Sequence, residues 1–392
     1  MALPRKLSVM KRGAGHVIDS MLAPKPGKYF HTPSDPTVAG LFGAASGIGE
    51  SARLCFDALR ALGRNPDTID LSDSFHQGDL DARRFRVAHN TNTGPLIIHL
   101  NPPELPRALR RIGRERLAGR KIIGYWAWEL PNAPASWLRA MRFVHEVWTP
   151  SVFCTDAITP DASVPVRTVP HILRDQIVAT AENTERDVDF HVIASGDARS
   201  SLTRKNLDGA VRAFRGAFGD DPNVRLSIRL SHGSATDLMV EAFECQCTGH
   251  ANIRLVSDVM DEAAGARFIA SADAMLSLHR SEGFGLVLAK SMRMGLPVIA
   301  TGWSGNMEFM TPDSACLVGC EMIGVNDPQG IYPYPDQVWA EPNIGEAITW
   351  LQRLRAEPEL RARIGEAATR LYPAQEFETM LADALGRETL QP

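Results

Sequence analysis

Short β-branched runs alternate with helical patterns along this chain, and that alternation constrains the fold more than any other feature. Six strand candidates occupy the first half: Thr37–Phe42, Thr68–Leu71, Leu96–Leu100, Lys121–Trp126, Glu146–Thr149 and Arg167–Val169. Between the first two, Gly49–Leu62 repeats Ala52, Phe56, Leu59 and Leu62 at helical spacing on one face. Six more strands follow at Phe190–Ala194, Val224–Leu230, Ile253–Leu255, Ala274–Leu278, Val298–Ala300 and Ala315–Val318. Helices such as Leu207–Phe218 and Ala264–Ser271 separate them. Strand–helix alternation of this kind predicts an α/β chain with parallel sheets built from βαβ units.

The rhythm breaks once. Arg174–Asp189 is polar and loses strand periodicity, which marks residues 174–189 as a linker. The expected domains are a basic arm (1–36), an N-terminal Rossmann-like domain (37–173) and a C-terminal one (190–372). Pro373 breaks the helical stretch after Ile344, and a last helix (373–392) is expected to pack back on the N-terminal domain. Two such domains facing each other enclose a cleft, and ligands of open α/β sheets lie beyond the carboxyl ends of the strands.

Composition removes several alternatives. A net charge of -4 offers no basic excess for displacing counterions from nucleic acid. No stretch approaches the roughly 18 apolar residues of a spanning helix. The opening MALPRKLSVMKRG lacks the apolar core of a signal peptide. Its four cations, Arg5, Lys6, Lys11 and Arg12, suit either contact with an anionic membrane surface or a solvated arm. The expectation is a cytoplasmic protein whose membrane contact, if any, is peripheral. The six cysteines are too sparse for a disulfide framework, and Cys245, Cys247 and His250 match no common zinc spacing.

Chemistry-bearing residues cluster after strands. The first strand runs into GLFGAASGIGESAR, where Gly43, Gly47 and Gly49 precede a helix with Glu50 and Arg53. Such a turn is either a ligand loop at a helix N-terminus or a plain tight turn, and it is not a dinucleotide fingerprint. His99 and Asn101 end the third strand. GYWAWELPNAP ends the fourth and brings Glu129 beside aromatic rings, an arrangement that suits a carbohydrate, although Trp126 reads as core. Arg204 and Lys205 open a helix and form either a diphosphate clamp or an exposed basic pair. In SEGFGLVLAKSM, Gly283 and Gly285 place Glu282 on a turn, with Gly302, Ser304, Gly305 and Asn306 expected on the pocket's other side.

The run EGFGLVLAKSMRMGLPVIA resembles the signature of the retaining glycosyltransferases of family 4, which have the GT-B fold. GYWAWELPNAPASW, VHEVWTPSVFCTDAI and TGWSGNMEFMTPDSACLV resemble a subgroup found among bacterial polysaccharide and O-antigen enzymes, so the likeness extends over nearly all of the chain. The resemblance implies that Glu282 lies near the donor sugar and phosphates. It implies that Lys205, with Arg204, neutralises the departing diphosphate. Donor contacts are further expected from Gly283, Phe284, Gly285, Lys290, Ser304, Gly305 and Asn306. Gly47 and Gly49 match the N-domain loop, and Glu129, with His99 and Asn101, falls on the acceptor side.

One position departs from the pattern: Lys290 stands where the family has a second glutamate that accepts ribose hydrogen bonds. Lysine accepts none. Losing such bonds, roughly 1.5–3 kcal/mol each, weakens a nucleotide about tenfold to a thousandfold. Lys290 then contacts a phosphate, or the nucleotide site is relaxed, or the chain is a degenerate relative. The expected activity is sugar transfer from a nucleotide sugar to a glycan or lipid-linked acceptor, with retention, no cofactor and no essential metal. The alternatives are a non-catalytic scaffold of polysaccharide assembly, a metal-dependent enzyme using Asp79–Asp81 or Asp187–Asp189, and a dehydrogenase.

Overall fold

The computed structural model describes residues 19–30, 34–85, 91–173, 188–233 and 237–386. Most of the arm and of the linker therefore lies outside the described residues, as does Asp187. The chain forms two compact units. One comprises Met1–Trp128, Asn132–Ile172 and Glu376–Pro392; the other comprises Glu129–Pro131 and Leu173–Gln375.

The first unit is built on a six-stranded parallel sheet in the order β2-β1-β3-β4-β5-β6. Its strands are β1 (Thr37–Gly40), β2 (Asp67–Asp70), β3 (Leu96–His99), β4 (Ile122–Tyr125), β5 (Glu146–Thr149) and β6 (Val166–Thr168). Every residue of β1, β3, β4 and β5 is buried, because helices cover both faces of a parallel sheet. The first crossover helix, Gly47–Ala61, is capped by Ser46 and buries Ala52 and Leu59 as its spacing predicts.

The second unit repeats the plan with β7 (Phe190–Asp197), β8 (Val224–Ser231), β9 (Ile253–Val256), β10 (Ala274–Ser277), β11 (Val298–Thr301) and β12 (Cys316–Val318). Their order is β12-β11-β10-β7-β8-β9, all parallel. β7 runs three residues past its apolar stretch because β8 pairs it through Asp197↔Ser231. An antiparallel hairpin of β13 (Cys320–Gly324) and β14 (Val338–Pro342) was not expected. Helices Ile344–Ala356, Pro358–Arg370 and Ala374–Leu385 follow.

Each sheet has one place where neighbouring strands send the chain in opposite directions. In the first unit it lies between β1 and β3, in the second between β7 and β10. The loops at the carboxyl ends of those strands are where such a sheet binds ligands.

Candidate active site

In the second unit the chain leaves β7 through Ala198–Ser200 and enters a single helical turn, Leu202–Lys205. Ser201, at φ 64° and ψ 107°, starts that turn by accepting from Arg204 N at 3.1 Å. Asn206, at φ 50°, ends it and caps the next helix, Leu207–Phe218, while its Nδ2 donates to Leu278 O at 2.7 Å. Left-handed backbone at residues other than glycine is costly and collects at functional sites. Here it brackets Arg204 and Lys205.

Glu282 follows β10 on a buried turn. Its N–H donates to Ser304 Oγ at 2.9 Å, and its carbonyl accepts from Gly305 N at 2.9 Å. Any Cβ at Gly305 would collide with the Gly283 and Glu282 backbone, so glycine lets the two turns close on each other. Asn306 is spent inside this clasp: Oδ1 meets His279 Nε2 at 3.0 Å and Nδ2 donates to Thr301 O at 3.0 Å. Gly285, at φ 91°, begins helix Leu286–Arg293 without a side-chain cap.

The carboxylate of Glu282 meets Lys205 Nζ at 2.5 Å and Arg204 Nη1 at 3.4 Å. Burial opposes its charge, but Lys205, Arg204 and His279 outweigh burial and hold its pKa at about 2. Arg204 is buried, donating to Ser281 O at 2.6 Å and to Ser200 O at 3.1 Å. Burial pulls its pKa down, while Tyr332, Glu282 and Glu129 raise it further, so the guanidinium stays charged. Arg204 is thus a strut for the turn. Lys205 is the more accessible cation.

Glu129 arrives from the first half of the sequence but belongs with the second unit through the segment Glu129–Pro131. It is hydrogen-bonded to Tyr332, and burial raises its pKa against the pull of Arg204 and that bond. Tyr332 lies in the loop between β13 and β14, and Arg204 sits 5.7 Å over its ring. Asp327 fastens the loop by accepting from Tyr332 N and Ser201 Oγ, both at 3.0 Å. Gln329 adds a bond from its Nε2 to Ala198 O at 3.1 Å. Sequence reasoning missed Tyr332, Asp327 and Gln329. Two tyrosines and two aspartates inside a loop with three prolines were the available signal.

Other expected donor residues have different duties. Phe284 is buried against Phe309, with ring centroids 4.9 Å apart, and serves packing. Lys290 is half-buried on helix Leu286–Arg293, whereas the cations beside Glu282 are Lys205 and Arg204, with the buried imidazole of His279 near them.

At the first unit's switch point the expected ligand groups are internally engaged. Gly43 N donates to Ser72 Oγ at 2.8 Å and Ala45 N to Asp79 Oδ2 at 3.1 Å, while Arg53 binds the carbonyls of Phe42 and Ala44. Gly49 is required because a Cβ would stand 2.5 Å from Ala44 O; Gly47 borders open space. His99 was expected to face a ligand. Instead it is buried, 2.7 Å from Ser51 Oγ and stacked on Tyr125 at 4.4 Å. Asn101 accepts from Ala127 N at 3.0 Å. Trp126 and Trp128 both pack on Trp137 in the core, so neither indole offers its face to a sugar.

No group of three His, Cys, Asp or Glu among the described residues could hold a metal ion. Asp79 is bound to the glycine turn and Asp81 to Arg83, and burial pushes the Cys247 thiol up to about 12.

Comparison with solved structures shows that this architecture is the GT-B fold. A glycosyltransferase from Rickettsia africae aligns over 92% of this chain and all of its own, with a TM-score of 0.62 and 12% identity. Anabaena HepE, solved with UDP and glucose, aligns over 90% of this chain and all of its own at 0.61 and 13%. Staphylococcus aureus TarM aligns over 74% of this chain at 0.51 and 12%, and the chain spans only 55% of TarM. At these identities the likeness is one of fold. A search of curated proteins finds no match. Residues 155–356 match the family model described as family 4 glycosyltransferase in conflict systems. The chain belongs to that family.

Proposed function

We propose that the protein transfers a hexosyl group from a nucleotide sugar to a glycan or lipid-linked oligosaccharide, with retention at the anomeric carbon. The observation that carries this reading is the Lys205–Glu282 pair, backed by Arg204, at the carboxyl ends of β7 and β10. Breaking a sugar–diphosphate bond leaves negative charge on the departing oxygen, and preorganised cations stabilise it without reorganising. Lys205 has donors beyond the one it gives Glu282. The uncapped amides of helix Leu286–Arg293 add a positive dipole end on the same turn. The proposal therefore carries no essential metal.

Glu282 remains ionised throughout the working range, so it orients Lys205 and accepts from sugar hydroxyls; it does not donate a proton. Glu129, whose pKa is raised, is the group set to meet an acceptor hydroxyl. No nucleophile is assigned, because retention on one sugar face requires none. No helix among the described residues is long and apolar enough to cross a membrane, so contact with a lipid-linked acceptor would be peripheral.

A thermal-shift titration with UDP, GDP, ADP and dTDP, on wild type and Lys290→Glu, tests the reading. A ligand that binds only the folded state raises the melting temperature. The expected result is stabilisation of wild type by one nucleotide and a weaker response from Lys290→Glu, with Lys290 on a phosphate. A response confined to Lys290→Glu would show that the chain has lost its donor and would put a scaffold role in its place.

A further inference from the structure

Residues 19–30 form a strap across the first unit. Asp19 pairs with Arg110, and Arg142 donates to Ser20 Oγ at 2.6 Å. His145 Nε2 contacts Gly27 O at 2.8 Å and its ring meets Tyr29 edge-on at 4.7 Å. Phe30 N donates to Gly119 O at 3.0 Å. The strap is thus held at both ends and in the middle, yet Met21, Leu22 and Phe30 remain 79%, 58% and 71% exposed. An anchored backbone that turns three large apolar side chains to water is an unfinished surface.

Its surroundings are strongly cationic. Lys25, Lys28, Arg110, Arg111, Arg114 and Arg116 are all exposed on the strap or on helices Leu105–Ile112 and Arg114–Leu117 beside it. They face two carboxylates in the same stretches, Asp19 and Glu115, in a chain whose net charge is -4. The charge is concentrated here against the sign of the whole molecule.

We propose that this face docks on an anionic lipid bilayer. Met21, Leu22 and Phe30 enter the boundary between headgroups and acyl chains, and the arginines hold lipid phosphates. Stable peripheral binding takes two signals, apolar insertion and a polybasic patch, and both are present. Two of the three inserted side chains, Met21 and Leu22, are aliphatic and give nucleobases nothing to stack on, which favours lipid over a nucleic acid. The surface goes beyond the sugar-transfer reading, and its test does not depend on it.

The test is flotation of the full chain with phosphatidylcholine vesicles, with and without phosphatidylglycerol. Two variants accompany wild type: Met21→Ser/Leu22→Ser/Phe30→Ser and Arg111→Glu/Arg114→Glu. Wild type should prefer the anionic vesicles by about tenfold or more, and each variant should lose about tenfold. Unchanged melting temperatures and nucleotide thermal shifts would show both variants folded with an intact site. Equal binding to neutral and anionic vesicles overturns the proposal. So does a loss confined to the charge variant, which would mark electrostatic adsorption without insertion of Met21, Leu22 and Phe30. Absence of any nucleotide shift, with vesicle binding intact, would count against the donor reading alone.

Discussion

The two switch points share a topology and differ in chemistry. Between β1 and β3, the turn amides, His99 and Asn101 are bonded to Ser72, Asp79, Ser51 and Ala127, all within the first unit. Between β7 and β10, four ionisable side chains converge: Arg204, Lys205, Glu282 and Glu129. A parallel sheet makes a place for a ligand at each switch point, but only residues left with unspent charge make a reactive one. The first unit's point is therefore a frame whose polar groups are bonded to one another, and the second unit's is where ionisable side chains face each other.

Removing Glu282 should break that contrast most severely. Glu282→Ala leaves Arg204 buried without its carboxylate, and loss of one partner of a buried pair costs about 3–5 kcal/mol. Urea unfolding should show this loss together with abolished transfer. Glu282→Gln, which keeps the shape and loses the charge, should recover part of the stability and little of the activity. Equal activity in all three proteins would move the reactive centre elsewhere.

Acid should reach the first unit through two buried histidines. Burial lowers the pKa of His99 far below the ordinary value and that of His171 to about 4. Their unfolded forms take up protons below pH 6.5, so the first unit loses stability as pH falls from 6.5 toward 4, by about 3 kcal/mol for His171 alone. Glu282 acts in a lower window. Its folded pKa of about 2 gives stability that is complete above 4.5 and is lost only as pH falls toward 2. Urea titrations at pH 7, 5 and 4 should find the decline, and His171→Phe should flatten it.

A pair of glycines sharpens the comparison at smaller cost. Gly49→Ala and Gly305→Ala each force a methyl group against backbone atoms and should cost about 1–3 kcal/mol. Only Gly305 clasps the backbone of Glu282 and Gly283, so only Gly305→Ala should lower kcat beyond what its stability loss explains.

All twelve strands of the two sheets were legible, the central ones because burial on both faces writes continuous apolar runs. The β13–β14 hairpin was not: Glu321 to Gly324 are exposed and show no alternation. Glu282 and Lys205 were legible as separate motifs, each after a strand, and the fold supplies their pairing across 77 residues. His99 and Trp128 misled for a common reason. A residue near a strand's end carries no mark of whether it turns toward ligand or into the core. Tyr332 could not be assigned to the site from its loop alone, because its meaning depends on Glu129, far away in the sequence.

The smallest effect isolates that last contact. Tyr332 keeps its proton, since burial raises its pKa well above the ordinary value, so it donates to Glu129. The bond favours the ionised carboxylate; burial favours the neutral one. Tyr332→Phe removes the donor and should push the pKa of Glu129 up further. If ionised Glu129 receives the acceptor proton, the acidic limb of the kcat profile moves to higher pH. The rate should fall about threefold to tenfold near neutral pH and recover in alkali, the loss of one hydrogen bond being worth about 1 kcal/mol. Donor KM should stay unchanged, because the ring still packs on Arg204. Glu129→Gln should abolish the limb altogether. An unshifted profile in Tyr332→Phe would reduce the tyrosine to packing and leave Lys205 and Glu282 as the working pair.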